Sequence, residues 1–100
     1  MSHNMRRINS SHPAIAALRI VGDIGNPLDD NVDLIVQLAD GRRFSFTAFT
    51  PANLTRLMRR RLSFVSPGLL VVASLAEESL IDAIEDAVEQ GIEQFGVLQR

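Results

Sequence analysis

Between Val32 and Phe49 the chain alternates so regularly that few folds remain open to it. Val32, Leu34, Val36 and Leu38 occupy every second position, with Asp33, Ile35, Gln37 and Ala39 between them. A period of two sends successive side chains to opposite faces of a strand, so this segment has one oily face that must be buried. Asp40-Gly41 follows at once. That pair predicts a two-residue type I′ hairpin turn, whose central positions need positive φ. The returning segment, residues 42 to 49, puts Phe44, Phe46 and Ala48 on one side and Arg43, Ser45 and Thr47 on the other. A two-stranded hairpin with one apolar side is at best marginal in water, so the rest of the chain must cover it.

Two helical segments are the expected cover. Thr50 can cap a helix N-terminus, and Pro51 suits the first helical position, where its missing N–H costs nothing. A helix from Pro51 to about Arg60 follows, with Leu54, Leu57 and Met58 as its apolar stripe. Ser66-Pro67-Gly68 reads as a turn, and the uninterrupted run from Leu69 to Ala73 as a central strand buried on both faces. Ser74 and Glu77 match a capping box, which starts a second helix near Leu75. Leu80, Ile81, Ile84, Val88, Ile92 and Phe95 recur every three or four residues, so this helix is expected to run through Gly91 and leave a frayed end.

Upstream, residues 14 to 21 alternate with Ala16, Leu18 and Ile20 on one side, which predicts a strand. Residues 22 to 31 concentrate Gly, Pro, Asn and Asp and read as a loop. Residues 1 to 13 are polar and read as a flexible lead-in. A chain of 100 residues, 46% of them hydrophobic, forms one domain. The expected fold is therefore α+β over residues 14 to 100, a mostly antiparallel four-stranded sheet with both helices on one face, in the order β-β-β-α-β-α.

The segments VDLIVQLADGRRFSFTAFTPANLTRLM and FVSPGLLVVASLAEESLIDAIEDAVEQG resemble a group of small bacterial α+β proteins of no known activity. The shared pattern is a GRR-aromatic strand, an FTPxN helix start and an LxEExL helix, and it covers roughly residues 32 to 94. Val65 departs from it, since the group tends to carry an aromatic residue there, as does the short connection from Arg59 to Ser63. The resemblance implies the fold and transfers no site residue.

No cysteine is present, which rules out a disulfide framework, a thiolate metal site and a cysteine nucleophile. The start of the chain lacks the apolar core of a secretory signal and no apolar run is long enough for a bilayer, so a cytoplasmic protein without a membrane role is expected. His3 and His12 have no acidic or cysteine company for a metal site. Asp29, Asn31, Asp33 and Asp40 imitate a calcium loop, but Leu34 stands where that loop needs glycine. Neither a nucleophile elbow nor a phosphate loop is present, so no enzymatic activity and no cofactor are expected.

Charge is unevenly spread. Residues 1 to 61 carry nine arginines against five aspartates, a balance of +4, and residues 62 to 100 one arginine against seven acids, a balance of −6. Arg56, Arg59, Arg60 and Arg61 on the first helix, with Arg42 and Arg43 in the hairpin, are candidates to contact an anion or a partner. Glu78, Asp82, Glu85, Asp86 and Glu89, with Glu77 and Glu93, form a candidate acidic partner face. The expected function is that of a small non-catalytic interaction protein, a homodimer or the partner of another protein. The alternative is nucleic-acid or other polyanion binding through the Arg-rich helix.

Overall fold

The alternation over residues 32 to 49 is realised as two antiparallel strands in a computed structural model that describes residues 5–100. Six strands, two α-helices and one short 3-10 turn follow in the order β1 Met5–Ile8, β2 Ile15–Val21, β3 Asn31–Leu38, β4 Arg43–Phe49, α1 Pro51–Met58, β5 Leu69–Val71, α2 Glu77–Gln90, 3-10 Ile92–Gln94 and β6 Val97–Gln99. The single sheet runs β1-β2-β3-β4-β5, with β6 also on β4. All pairs are antiparallel except β4–β5. The fold is a single mostly antiparallel α+β domain, as the sequence leads one to expect, with two more strands than the four expected.

The predicted oily face is the core. Val32, Leu34, Val36, Leu38, Phe44, Phe46 and Ala48 are all at most 5% exposed, and Leu18 and Ile20 of β2 and Ile8 of β1 join them. The turn differs from the prediction. Gly41 alone in it has positive φ, its N–H bonds to the carbonyl of Leu38, and Leu38 N–H bonds to the carbonyl of Arg42. The loop is thus three residues, Ala39 to Gly41, ending in a left-handed glycine, and Asp40 keeps ordinary φ. In β2 the register shifts between Ile15 and Ala17, so a bulge at Ala16 leaves that residue exposed and gives its core place to Ile15.

The roof is one helix, not two. Leu80, Ile84 and Ala87 of α2 are buried in the core, with Ile81 and Val88 packed against it. Each fully buried Leu or Ile is worth about 1.5–3 kcal/mol. No residue of α1 belongs to the core cluster, and its sole buried residue is Asn53. Polar bonds hold α1 at the end of the β3–β4 pair instead. Thr50, fully buried, accepts from Asn53 N–H at 3.3 Å and Asp30 N–H at 3.2 Å, and Asn53 Oδ1 accepts from Asn31 Nδ2 at 2.9 Å. The expected cap at Thr50 is therefore present, with Pro51 at the first turn. Thr50→Ala should cost about 1–2 kcal/mol in a thermal melt, because it removes the cap and the acceptor for Asp30 N–H together.

Four further expectations are corrected. Leu69–Val71 is an edge strand, with Leu69 and Val71 exposed, not a central one. The capping box does not form: α2 starts at Glu77, and Ser74 Oγ accepts from Ala76 N–H and meets Ser79 Oγ. The helix ends at Gly91, whose backbone is left-handed, and the supposedly frayed tail is strand β6. Within the expected lead-in, Met5–Ile8 is strand β1, and Ile8 is 2% exposed.

Candidate interaction edge

The arginines singled out by the sequence do not meet. Arg42 and Arg43 sit at the hairpin end of β4, and α1 begins beyond its other end. The six steps from Arg43 to Phe49, at about 3.4 Å each, put roughly 20 Å between the two groups. Two members are also paired within the chain. Arg42 Nε donates to Asp40 Oδ2 at 2.9 Å and its guanidinium lies 5.6 Å from the Phe44 ring, while Arg56 donates to Asp29 at 3.2–3.3 Å. The Arg42 backbone N–H is the main influence holding the Asp40 carboxyl below its usual range. Arg61 stacks 5.7 Å from the Phe64 ring, and that ring packs edge-on against Phe49. Arg59 and Arg60 are exposed, and Arg43 lies on the sheet face opposite α2.

The acidic face of α2 is divided by the N-terminal segment. Arg6 pairs with Glu77, Ser10 donates to Glu85, and His12 Nε2 lies 3.4 Å from Glu89. These three acids share one flank of the helix. Glu78, Asp82, Asp86 and Glu93 make no side-chain ion pair among the described residues; Asp82 and Asp86 instead line a hollow of about 290 Å³ between α2 and β5. His3 lies outside the described residues.

What the sequence did not single out is the contrast between the two sheet edges. A free edge strand offers unpaired N–H and C=O groups to any other strand, and charge along it discourages that pairing. The β1 edge carries Arg6 and Arg7 side by side. The opposite edge is built from β5 and β6, which lie along the two halves of β4: Thr47 to Phe49 pair with Leu69 to Val71, and Arg43 to Ser45 with Val97 to Gln99. Neither strand contains a charged residue. Leu69, Val71, Val97 and Leu98 are 38–55% exposed on this edge, and Phe95 beside it is 40% exposed. The loop leading to β5 adds Leu62 and Val65, both almost wholly exposed. Five of the nine large exposed apolar side chains of the described residues thus lie on or beside one edge, and Leu62 and Val65 belong to the loop that leads to it. The legible hints were the uncharged triplets Leu69–Val71 and Val97–Gln99, but being an edge is a property of the sheet and not of the triplets.

No helix of the described residues is long and apolar enough to cross a membrane. Comparison with protein-family models, with curated proteins and with solved structures finds no match.

Proposed function

We propose that this chain is a non-catalytic interaction protein that associates with a second copy of itself through the β5–β6 edge. The observation that carries the reading is the asymmetry of the sheet, one edge bearing adjacent arginines and the other apolar and free of charge. A two-fold contact brings residues near its axis close to their own counterparts, so a charge there meets its like, whereas an uncharged apolar strip is compatible with itself. Three-residue strands supply few backbone bonds, so side-chain burial has to carry the association. Leu69, Val71, Phe95, Val97 and Leu98 are the side chains in question. The Arg-rich helix is the weaker reading, because its arginines are separated from those of the hairpin and Arg56 is already paired.

Sedimentation equilibrium tests this. The unmodified chain is expected as a dimer at micromolar concentration. Val71→Lys or Leu98→Glu is expected to raise the dimer dissociation constant at least about 100-fold, since each change occurs twice per interface and buries an unpaired charge. Circular dichroism should be unchanged, because both side chains are about half exposed in the single chain. A monomer at several hundred micromolar, or a dimer indifferent to both substitutions, removes the proposal.

A further inference from the structure

The face of the sheet opposite α2 carries a second feature, which meets the edge at Val97. Register places its outward side chains in rows across the strands. One row reads Met5, Val21, Asp33, Thr47, Leu69, and the next reads Arg7, Arg19, Ile35, Ser45, Val97. In a third row Gln37, Arg43 and Gln99 are neighbours. Arg7 and Arg19 therefore stand directly opposite each other on adjacent strands. Like charges in that relation destabilise a sheet. No carboxylate forms an ion pair with Arg7, Arg19 or Arg43 among the described residues, although Arg6, Arg42 and Arg56 each have one. The Arg7 guanidinium donates to the Ala16 carbonyl at 3.3 Å. Asp33 is the one carboxylate in these rows and the α2 acids lie on the other side of the sheet, so Arg7, Arg19 and Arg43 leave this face locally positive despite a net charge of −2.

Beside the arginine pair the face sinks into a shallow hollow of about 360 Å³. Val21, Ile35 and Val97 provide its apolar surface, and Asp33, Thr47 and Ser45 its polar groups. The polar groups are prearranged: Thr47 Oγ1 donates to Asp33 Oδ1 at 2.9 Å, and Gln99 Nε2 donates to Ser45 Oγ at 2.9 Å. One Asp33 oxygen and the Ser45 hydroxyl proton stay available to a ligand. The hollow is at the small end of the volumes that hold organic ligands, roughly 300–1,000 Å³.

We infer that this face binds a phosphomonoester of mononucleotide size, its phosphate between Arg7 and Arg19 and its body in the hollow over Ile35. The charge count selects the anion. A carboxylate is satisfied by one guanidinium fork. A terminal phosphate carries nearly two charges and three acceptor oxygens, which matches two forks side by side. A longer nucleic-acid strand fits less well, because no exposed aromatic ring stands on this face for bases to stack on: Phe44, Phe46 and Phe49 are buried, Phe64 packs on Phe49, and the exposed Phe95 lies on the α2 side with Leu70 and Ala83.

The test is a titration of the 15N-labelled chain with adenosine 5′-monophosphate, adenosine, and an oligonucleotide lacking terminal phosphates, followed by amide shifts. The monophosphate should move the amides around Arg19, Ile35 and Ser45 with a dissociation constant of ~0.1–1 mM. Arg19→Gln and Arg7→Gln should each weaken it at least about tenfold, while Arg60→Gln should not. Both variants should melt no lower than the parent in phosphate-free buffer, since each relieves a like-charge contact. Adenosine binding as well as the monophosphate, equal loss in Arg60→Gln, tighter binding of the phosphate-free-ended oligonucleotide, or no shift at all overturns the assignment. Val97 also belongs to the proposed dimer edge, so the titration is repeated on the Leu98→Glu variant; monophosphate binding retained there lets the two proposals fail separately.

Discussion

Ile84→Ala is expected to lower the unfolding free energy by about 3–4 kcal/mol, and Leu57→Ala by about 1 kcal/mol. By periodicity alone the two residues are equivalent, each on the apolar stripe of an amphipathic helix that ought to cover the sheet. Their surroundings separate them. Ile84 is fully buried in the core, whose roof is α2. Truncation there loses the transfer energy of the removed carbons and leaves a cavity between helix and sheet, the combination behind costs of 2–5 kcal/mol for such changes. Leu57 is only half-buried, on a helix none of whose residues joins the core cluster, so water or a neighbouring side chain takes up the space. Urea denaturation of the three proteins decides the matter. Equal losses would mean that α1 is as much a roof as α2.

What was legible in the sequence was whatever a short stretch decides by itself. The β3–β4 pair was readable because its alternation is local and uninterrupted, and the buried face of α2 because Leu80 and Ile84 recur at the helical period. The Asp40-Gly41 signal located the hairpin but not its loop length, since a left-handed glycine serves a three-residue loop as well as a two-residue one. The stripe of α1 shows that Leu54, Leu57 and Met58 share a side without showing which surface that side meets. Leu69–Val71 looked central because apolar runs suit buried strands, yet β5 and β6 divide one flank of β4 and both end up outermost. β1 was invisible for a related reason. Its sequence, MRRI, contributes just one core residue, Ile8, and its strand conformation comes from the free flank of β2. The grouping of candidate residues follows the same rule. Nearness along the chain joined Arg42 to Arg56, while the pairing of Arg7 with Arg19 and the gathering of Leu69, Val71 and Val97 are consequences of register.

Gly68→Ala is expected to cost about 3 kcal/mol and to release β5, and the reason lies in how closely two backbones approach. Gly68 carries the chain into β5 with φ +62°, and its carbonyl accepts the N–H of Thr47. A methyl group there would stand 2.7 Å from the Ser45 carbonyl oxygen and 3.1 Å from the Phe46 Cα, both rigid parts of β4. Left-handed backbone with a side chain costs about 1–2 kcal/mol. Relieving the clash means moving β5 away from β4, which adds about 1–3 kcal/mol and breaks the parallel pairs at Leu69 to Val71. Gly41 is the control. Its φ of +95° demands the same backbone freedom, but nothing lies within 4 Å of a methyl group placed on it, so Gly41→Ala should cost about 1 kcal/mol from strain alone. Hydrogen exchange separates the two further: Gly68→Ala should strip protection from Thr47 and Val72, whose N–H groups bind Gly68 and Phe49, and Gly41→Ala should leave both protected. If the edge is where two copies join, Gly68→Ala must also dissociate the dimer while Gly41→Ala keeps it. A Gly68→Ala protein that dimerises normally would place the contact somewhere other than β5.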